Sequence, residues 1–258
     1  RADITVAEDG RYYLAAGGYG FSQGTYTLTV TDLEDDHGDD NATATILAPD
    51  EPISGYIGEV GSVRDLDRFA LDVEAGETYL LMLSPAEDLY GLLYPQLRLF
   101  TDNTPGVFDY DGRLRDAELE FTVQEDTTYF AEVADRYRAQ GDGGHSTLVL
   151  EQQVFLTGTE DADWLTLPQD GRFIGADGLG GNDMMSFAGL ATGIRVDLGA
   201  GTVAGGGAAL RPGVLALDNI ESVTGTSYDD IFRGSDGADR VRALGGRDMI
   251  FGSAGRDR

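Results

Sequence analysis

The sequence predicts an all-β protein, in which an antiparallel β-sandwich with a partial second copy is followed by a parallel β-roll. Up to about residue 153, apolar and polar residues alternate over short runs separated by turn residues, which is typical of half-buried strands. Near the C-terminus, glycine and aspartate recur every nine residues, which is typical of a coil built from loops and short strands.

The strand-like alternation occurs in two segments. Residues 1–31 hold two such runs, at 12–15 and 26–30, and residues 46–153 hold further runs from Phe69 to Leu150. Residues 32–45, between the segments, are acidic and broken by glycine, so they are predicted to be a linker. Short strands separated by turn residues favour a β-sandwich.

An internal repeat relates the two segments. Residues 8–15 (EDGRYYLA) align with residues 125–132 (EDTTYFAE), so residues 1–31 are predicted to be the C-terminal part of a second sandwich. The closing segment at residues 10–30 and the opening segment at residues 65–79 resemble the bacterial pre-peptidase C-terminal domain. This resemblance implies a small β-sandwich that often binds calcium in its acidic linker.

The composition restricts the possible partners. The 258 residues carry 18 basic and 46 acidic side chains, a formal net charge of −28 at pH 7, and no cysteine. This charge disfavours nucleic acid and anionic membranes as partners, and no apolar run is long enough for membrane insertion. Most of the acids are aspartates, whose short carboxylates suit tight loops around hard divalent ions, so calcium is the expected ligand. The alternative is a solvated acidic surface like that of halophilic proteins.

The C-terminal residues divide into units of nine, counted from Gly225: GTSYDDIFR, GSDGADRVR, ALGGRDMIF and GSAGRDR. Aspartate always stands at the sixth position, and the eighth is apolar wherever it is present. Glycine stands at the fourth position of the last three units. The pattern fits the calcium-binding consensus G-G-x-G-x-D-x-U-x, in which U is apolar. Residues 178–186 fit it closely and residues 158–166 more loosely.

This register gives the predicted metal-site residues. They are Asp230, Asp239, Asp248, Asp257, Asp183 and Asp163, together with the glycines Gly225, Gly234, Gly237, Gly246, Gly252, Gly255, Gly178 and Gly181. The aspartates would supply charged oxygen ligands, and the glycines would allow positive φ in the six-residue turn.

The nine-residue spacing also predicts which aspartates meet. Since two units complete one turn of the roll, residues 18 apart stack, which pairs Asp230 with Asp248 and Asp239 with Asp257. Each pair can clamp one calcium ion between neighbouring loops. Without the ion these carboxylates repel one another and the short strands bury little, so the roll is predicted to fold on binding calcium.

These units, with the segments at residues 183–198 and 219–225, resemble the RTX (hemolysin-type) calcium-binding repeat region, interrupted as in serralysin-type secreted proteases. The resemblance covers residues 154–258 and implies several bound Ca²⁺ ions, an extracellular location and the type I secretion machinery as a partner. We therefore expect a non-catalytic calcium-binding region that supports the secretion and stability of an attached protease or other hydrolase domain.

No catalytic site is identified. Residues 20–24 match the G-x-S-x-G motif around Ser22, but the helix that the motif requires is replaced by a strand. Asp109 and Asp111 are more typical of solvated or calcium-bound carboxylates than of a glycosidase pair. The sequence also lacks the H-E-x-x-H motif of zinc proteases.

Three alternatives stay open for the first part of the chain. Its sandwiches could bind polysaccharide or extracellular protein through exposed aromatic side chains, or they could have hydrolase activity. The acids of the predicted linker could hold calcium or only add solubilising charge. The aromatic candidates are Tyr90, Tyr94, Tyr110 and Tyr137, and the linker acids are Asp32, Asp35, Asp36 and Asp39.

Overall fold

The structure is a computed structural model that describes residues 36–60, 63–86, 94–110, 115–135, 144–210 and 212–258. It has two compact units. The second is formed by Glu151–Arg258 together with Gly76–Tyr79, and the other described residues up to Leu150 belong to the first. The predicted partial sandwich at residues 1–31 lies outside the described residues.

The first unit contains two main sheets with strand orders β1-β5-β10-β7-β8 and β2-β11-β6-β9, and a small sheet of β3 and β4. Its strands are β1 (Thr45–Leu47), β2 (Ile53–Ile57), β3 (Glu59–Val60), β4 (Val63–Arg64), β5 (Asp67–Leu71), β6 (Thr78–Pro85), β7 (Pro95–Thr101), β8 (Thr104–Asp109), β9 (Ala117–Thr122), β10 (Tyr129–Asp135) and β11 (Gly144–Gln152). Strands β5, β10, β7 and β8 are antiparallel neighbours, whereas β1 pairs with β5 in parallel.

The core of this unit follows the predicted alternation. Every second residue along β5, β7 and β11 is buried, and Phe69, Leu97 and Leu148 are at most 2% exposed. The period of two arises because successive side chains of a strand point to opposite faces of the sheet. Burying an apolar side chain of this size contributes about 1.5–3 kcal/mol, so the inward faces stabilise the sandwich.

Residues 36–45, which the sequence predicted as part of a linker, pack against the first sheet. The His37 ring lies 4.8 Å from the Phe69 ring, and the Gly38 carbonyl accepts a 2.9 Å hydrogen bond from Arg68 N–H. The segment leads into β1, which pairs with β5. An acidic, glycine-broken segment has no apolar periodicity, so its attachment through polar contacts could not be predicted from the pattern.

The second unit is a β-roll of two sheets with strand orders β12-β14-β18-β17-β16-β20-β22 and β13-β15-β19-β21. Its strands are β12 (Val154–Thr157), β13 (Trp164–Thr166), β14 (Phe173–Asp177), β15 (Met184–Ser186), β16 (Ile194–Asp197), β17 (Thr202–Gly205), β18 (Val214–Asp218), β19 (Ser222–Thr224), β20 (Ile231–Arg233), β21 (Arg240–Arg242) and β22 (Met249–Phe251). A short 3₁₀ turn lies at Gly207–Ala209.

Apolar side chains from both sheets fill the roll. Met185, Val223 and Phe232 come from eighth positions of nonapeptides and are at most 2% exposed. Most strand pairs are parallel, as in a coil, but β17 is antiparallel to both of its neighbours, β16 and β18. The antiparallel strands β16, β17 and β18 therefore form a meander that interrupts the coil.

The prediction of an all-β chain is confirmed. Apart from 3₁₀ geometry, the described residues contain no helix, and none of them forms a helix suited to crossing a membrane.

Candidate metal centre

The nonapeptide loops join the two sheets of the roll and stack in two columns. The first loop column contains residues 158–163, 178–183, 219–221, 234–239 and 252–257, which follow strands of the seven-stranded sheet. The second loop column contains residues 225–230 and 243–248, which follow strands of the four-stranded sheet. Because the adjoining strands pair in parallel register, equivalent loop residues lie next to each other.

Both columns contain contacts between the sixth residues of neighbouring loops. Asp230 N–H donates a 3.0 Å hydrogen bond to Asp248 Oδ1 in the second column, and Asp239 N–H donates a 3.3 Å bond to Asp257 Oδ1 in the first. The structure thus brings together both aspartate pairs that the 18-residue spacing predicted.

The same contact links the upstream loops of the first column. Asp163 N–H donates a 2.8 Å hydrogen bond to Asp183 Oδ1, and Asp183 N–H donates a 2.9 Å bond to Glu221 Oε2. Glu221 therefore occupies the place that aspartate has at the other levels.

Sequence reasoning missed Glu221 as a site residue. It lies nine residues before Asp230, and residues 216–224 (ALDNIESVT) form one more unit with apolar Val223 at the eighth position. Asn219, at the fourth position, has φ of 51°, in the left-handed region that asparagine tolerates better than most residues. Counting one unit back from Gly225 would have found this repeat, but it lacks both the glycines and the aspartate of the consensus.

Four loops have serine or threonine at the second position, and we call them hydroxyl loops: residues 158–163, 225–230, 234–239 and 252–257. In three of them this hydroxyl donates to the carboxylate at the sixth position. The pairs are Thr159–Asp163 at 2.8 Å, Thr226–Asp230 at 2.8 Å and Ser235–Asp239 at 2.9 Å. In the fourth, Ser253 N–H donates to Asp257 Oδ2 at 3.2 Å. The loops thus orient their own carboxylates.

Two further loops, which we call glycine loops, are residues 178–183 and 243–248. Their second residues, Leu179 and Leu244, have φ of 65° and 70°, and their fourth residues, Gly181 and Gly246, have φ of 124° and 113°. The prediction of positive φ is therefore correct for two of the eight predicted glycines. The other six do not have positive φ, so the expectation is wrong for them.

Most of these six glycines are required because a Cβ atom at their position would be too close to neighbouring atoms. A Cβ on Gly225 would lie 2.5 Å from Asp230 Oδ2, and one on Gly234 or Gly252 would lie 2.8 Å from the aspartate carboxylate of its own loop. A Cβ on Gly178 would meet the Asn219 carbonyl and the Asp183 carboxylate, and one on Gly255 would meet the Gly237 carbonyl of the neighbouring loop. In the loops that begin with Gly178, Gly225, Gly234 and Gly252, the carboxylate of the sixth residue folds back over the first residue and excludes a side chain there.

Comparison with known protein families identifies the repeat. Residues 224–258 match the model of the RTX calcium-binding nonapeptide repeat, in four copies. The predicted RTX repeats are confirmed in this segment. Their calcium-binding character supports Ca²⁺ as the ligand of the stacked loops. The search of curated proteins found no match.

Two solved structures are similar to part of the chain. One is the pre-peptidase C-terminal domain of collagenase from Bacillus anthracis, at 14% identity over 42% of this chain and 94% of that chain, with a TM-score of 0.33. The other is PliG from Aeromonas hydrophila, a periplasmic inhibitor of g-type lysozyme, at 13% identity over 43% of this chain and 97% of that chain, with a TM-score of 0.29.

The RTX loops concentrate buried negative charge. Asp230 and Asp239 are 1% and 3% exposed, and Asp183 in the upstream loop is 1% exposed. Among the described residues, the arginine ion pairs of the roll engage Asp170 and Asp197 instead. A buried carboxylate is costly unless hydrogen bonds or a cation compensate it. A divalent cation between the stacked loops would provide this compensation.

One further carboxylate connects neighbouring loops of the first column. Asp177 Oδ1 accepts a 2.8 Å hydrogen bond from the Asn219 side chain and a 2.9 Å bond from Leu179 N–H. These two bonds, with the Asn219 bond as the larger cause, lower the pKa of Asp177. The negative charge of Asp177 thus favours the conformation that holds a glycine loop against Asn219.

The remaining predicted candidates lie in the first unit or outside the described residues. Asp39 Oδ1 accepts a hydrogen bond from Leu66 N–H at 3.2 Å, and Asp109 Oδ2 accepts one from Glu118 N–H at 2.7 Å. Tyr94 is half-buried and Tyr110 is 45% exposed. Outside the described residues are Ser22, Asp32, Asp35, Tyr90, Asp111 and Tyr137.

Proposed function

We propose that the roll is a calcium-binding RTX region of a secreted protein. It folds as it binds Ca²⁺ outside the cell, and it supports the secretion and stability of an attached catalytic domain such as a protease or another hydrolase. The observation that carries this proposal is the contact from one sixth-position residue to the carboxylate of the next, which recurs in both loop columns. A solvated acidic surface has no reason to stack carboxylates in register.

Each pair of stacked loops supplies ligands for one ion in this proposal. Ca²⁺ takes about six to eight oxygen ligands at about 2.3–2.6 Å, so two carboxylates need loop carbonyls to complete the shell. The carboxylate pairs are Asp163 with Asp183, Asp230 with Asp248, and Asp239 with Asp257, while Glu221 extends the first column beyond Asp183.

The expected affinity links folding to export. Extracellular calcium modules bind with dissociation constants of about 10⁻⁴–10⁻³ M, far above the resting cytosolic concentration of the ion. A chain that needs Ca²⁺ to compensate its stacked carboxylates stays unfolded in the cytosol, where it suits passage through the type I secretion machinery, and folds in the medium. Ligand binding then adds stability to the folded state.

A calcium titration of the full chain tests the proposal. We expect saturable Ca²⁺ binding, seen by calorimetry, with a parallel gain of β-structure in circular dichroism that equimolar Mg²⁺ does not reproduce. Asp239→Asn should weaken binding, whereas the matched control Asp236→Asn, an exposed residue of the same loop, should not. Equal binding by both variants, or an identical response to Mg²⁺, would overturn the proposal.

A second candidate, polymer binding by the sandwich, is favoured by one surface. Phe108, on the edge strand β8, and Tyr110, two residues further along the chain, are 50% and 45% exposed. The Arg98 guanidinium lies 5.3 Å from the centre of the Phe108 ring. Aromatic side chains held in this way suit contact with sugar rings. Co-sedimentation with insoluble polysaccharide, lost in Phe108→Ser, would support this candidate, and equal retention of the variant would exclude the surface.

A further inference from the structure

The first unit contains a second group of metal-ligand side chains, unrelated to the nonapeptides. Asp36, His37 and Asp67 bring one ligand atom each into a cluster in which these atoms lie within 4.8 Å of one another. Asp36 and His37 precede β1, and Asp67 begins β5. The packing of residues 36–45 against the first sheet therefore creates the cluster.

The surroundings hold each side chain in place. Asp67 is only 1% exposed, and Asp36 Oδ2 accepts a 2.9 Å hydrogen bond from Tyr56 N–H. His37 Nδ1 lies 3.0 Å from Thr45 Oγ1, whereas Nε2 has only a 3.4 Å contact with the Ser54 carbonyl. A metal-bound histidine commonly donates its second ring N–H to an oxygen. In a metal complex of this kind, Thr45 would orient the ring through Nδ1, and Nε2 would be the ligand atom.

Gly55, on β2, keeps space open between two of the ligand atoms. A Cβ at this position would lie 2.8 Å from Asp67 Oδ2 and 3.3 Å from His37 Nε2. Both atoms therefore border the same small volume, which any side chain on residue 55 would fill. This observation is independent of the carboxylates themselves and indicates a place for a ligand.

We propose that Asp36, His37 and Asp67 bind a divalent d-block cation, with Zn²⁺ as the best match. One imidazole nitrogen and two carboxylate oxygens suit Zn²⁺, which often takes three protein ligands and a water. Ca²⁺ and Mg²⁺ prefer oxygen ligands alone, so the histidine separates this centre from the calcium sites of the roll. The bound ion fastens residues 36–45 to the first sheet.

Calorimetric titration of the full chain with Zn²⁺, at saturating Ca²⁺, tests the proposal. We expect one Zn²⁺ site that His37→Gln weakens at least about tenfold and that Thr45→Val, which removes the partner of Nδ1, weakens by a similar factor. Gly55→Ala should weaken it as well. The matched control is His145→Gln, because His145 is the other histidine of the chain. Equal Zn²⁺ binding by the native chain and His37→Gln would overturn the proposal.

A measurement on the native chain keeps the test independent of folding in the variants. Zn²⁺ should shift the ring ¹⁵N resonances of His37 and leave those of His145 unchanged. Displacement of Zn²⁺ by millimolar Ca²⁺ would show an oxygen-dominated calcium site, and unshifted His37 resonances would show a histidine that only pairs with neighbouring carboxylates. Either result would overturn the proposal without affecting the proposed function of the roll.

Discussion

The backbone N–H of Asp230 donates a 3.0 Å hydrogen bond to Oδ1 of Asp248, which follows it by 18 residues. The Asp230 carboxylate accepts bonds from Thr226 N–H at 2.7 Å and from Ile194 N–H at 2.9 Å. A buried carboxylate is thus surrounded by neutral donors and lies beside a second acid. A divalent cation would compensate the two negative charges.

Replacing Asp248 by asparagine separates charge from hydrogen bonding. Asparagine Oδ1 can still accept the bond from Asp230 N–H, but the site loses one negative charge. We expect Asp248→Asn to weaken Ca²⁺ binding at one site by about tenfold, which corresponds to about 1.4 kcal/mol, in calorimetric titrations. Asp161→Asn, a change of an exposed aspartate in another loop, is the control. Unchanged affinity in Asp248→Asn would show that Asp248 is not a ligand.

Glu221 should behave as a member of the first loop column. Glu221→Gln retains an oxygen that can accept the bond from Asp183 N–H and removes the charge. We expect fewer Ca²⁺ ions bound at saturation or one weakened site in the same titration. Glu118→Gln, on β9 of the first unit, should have no effect. If both variants bind calcium like the native chain, Glu221 has only a structural role.

The first-position glycines should not tolerate a side chain. In Gly225→Ala, the new Cβ would lie 2.5 Å from Asp230 Oδ2 and 2.6 Å from Phe232 Cζ. Overpacking of this kind costs about 1–3 kcal/mol, and thermal unfolding in calcium should reveal it as a lower midpoint. Gly245→Ala is the control, since its Cβ would have no neighbour closer than 3.8 Å. Equal midpoints for the two variants would contradict this account.

Removal of calcium should unfold the roll and spare the first unit. All 18 basic residues are arginines, and Arg233, Arg240 and Arg242 lie in three-residue strands of the roll. We expect trypsin to cut at these arginines rapidly in chelator and slowly in millimolar Ca²⁺, as mass spectrometry of the fragments can follow. Equally slow cleavage in the two conditions would show that the roll is ordered without the ion, and equally fast cleavage would show that calcium does not order it.

Asp177 should contribute a stabilising effect that acid removes. Its folded-state pKa is lowered by the bonds from Asn219 and Leu179, so its contribution is complete above the unfolded pKa of about 3.9 and is lost as the pH falls through the folded value. Thermal midpoints of the native chain and Asp177→Asn should differ at pH 6 and converge once the pH falls below the folded-state pKa of Asp177. If the two thermal midpoints still differed in acid, the effect of Asp177 would come from the shape of its side chain and not from its charge.

The local chemistry of the nonapeptides explains why the sequence predicted so much of the roll. Aspartate, glycine and an apolar residue each have a fixed position in the nine-residue unit. Because two units form one turn of the roll, residues 18 apart come into contact, as Asp239 and Asp257 do. Glu221 was not predicted because its nine-residue unit keeps the spacing of the repeat but has other residues at the glycine and aspartate positions. The antiparallel strand β17 was not predicted because its pairing with β16 and β18 depends on long-range register.

The sequence by itself determined the all-β class, the alternating faces of the strands and the stacking of the sixth-position aspartates, since these depend on short-range periodicity. Only the tertiary structure decided that Glu221 joins the stack, that most of the predicted glycines are present for space and not for positive φ, and that Asp36 and His37 meet Asp67. Each of these depends on three-dimensional contacts, within one loop for most of the glycines and between distant parts of the chain for Glu221 and for Asp36 and His37, which residue type and spacing alone do not specify.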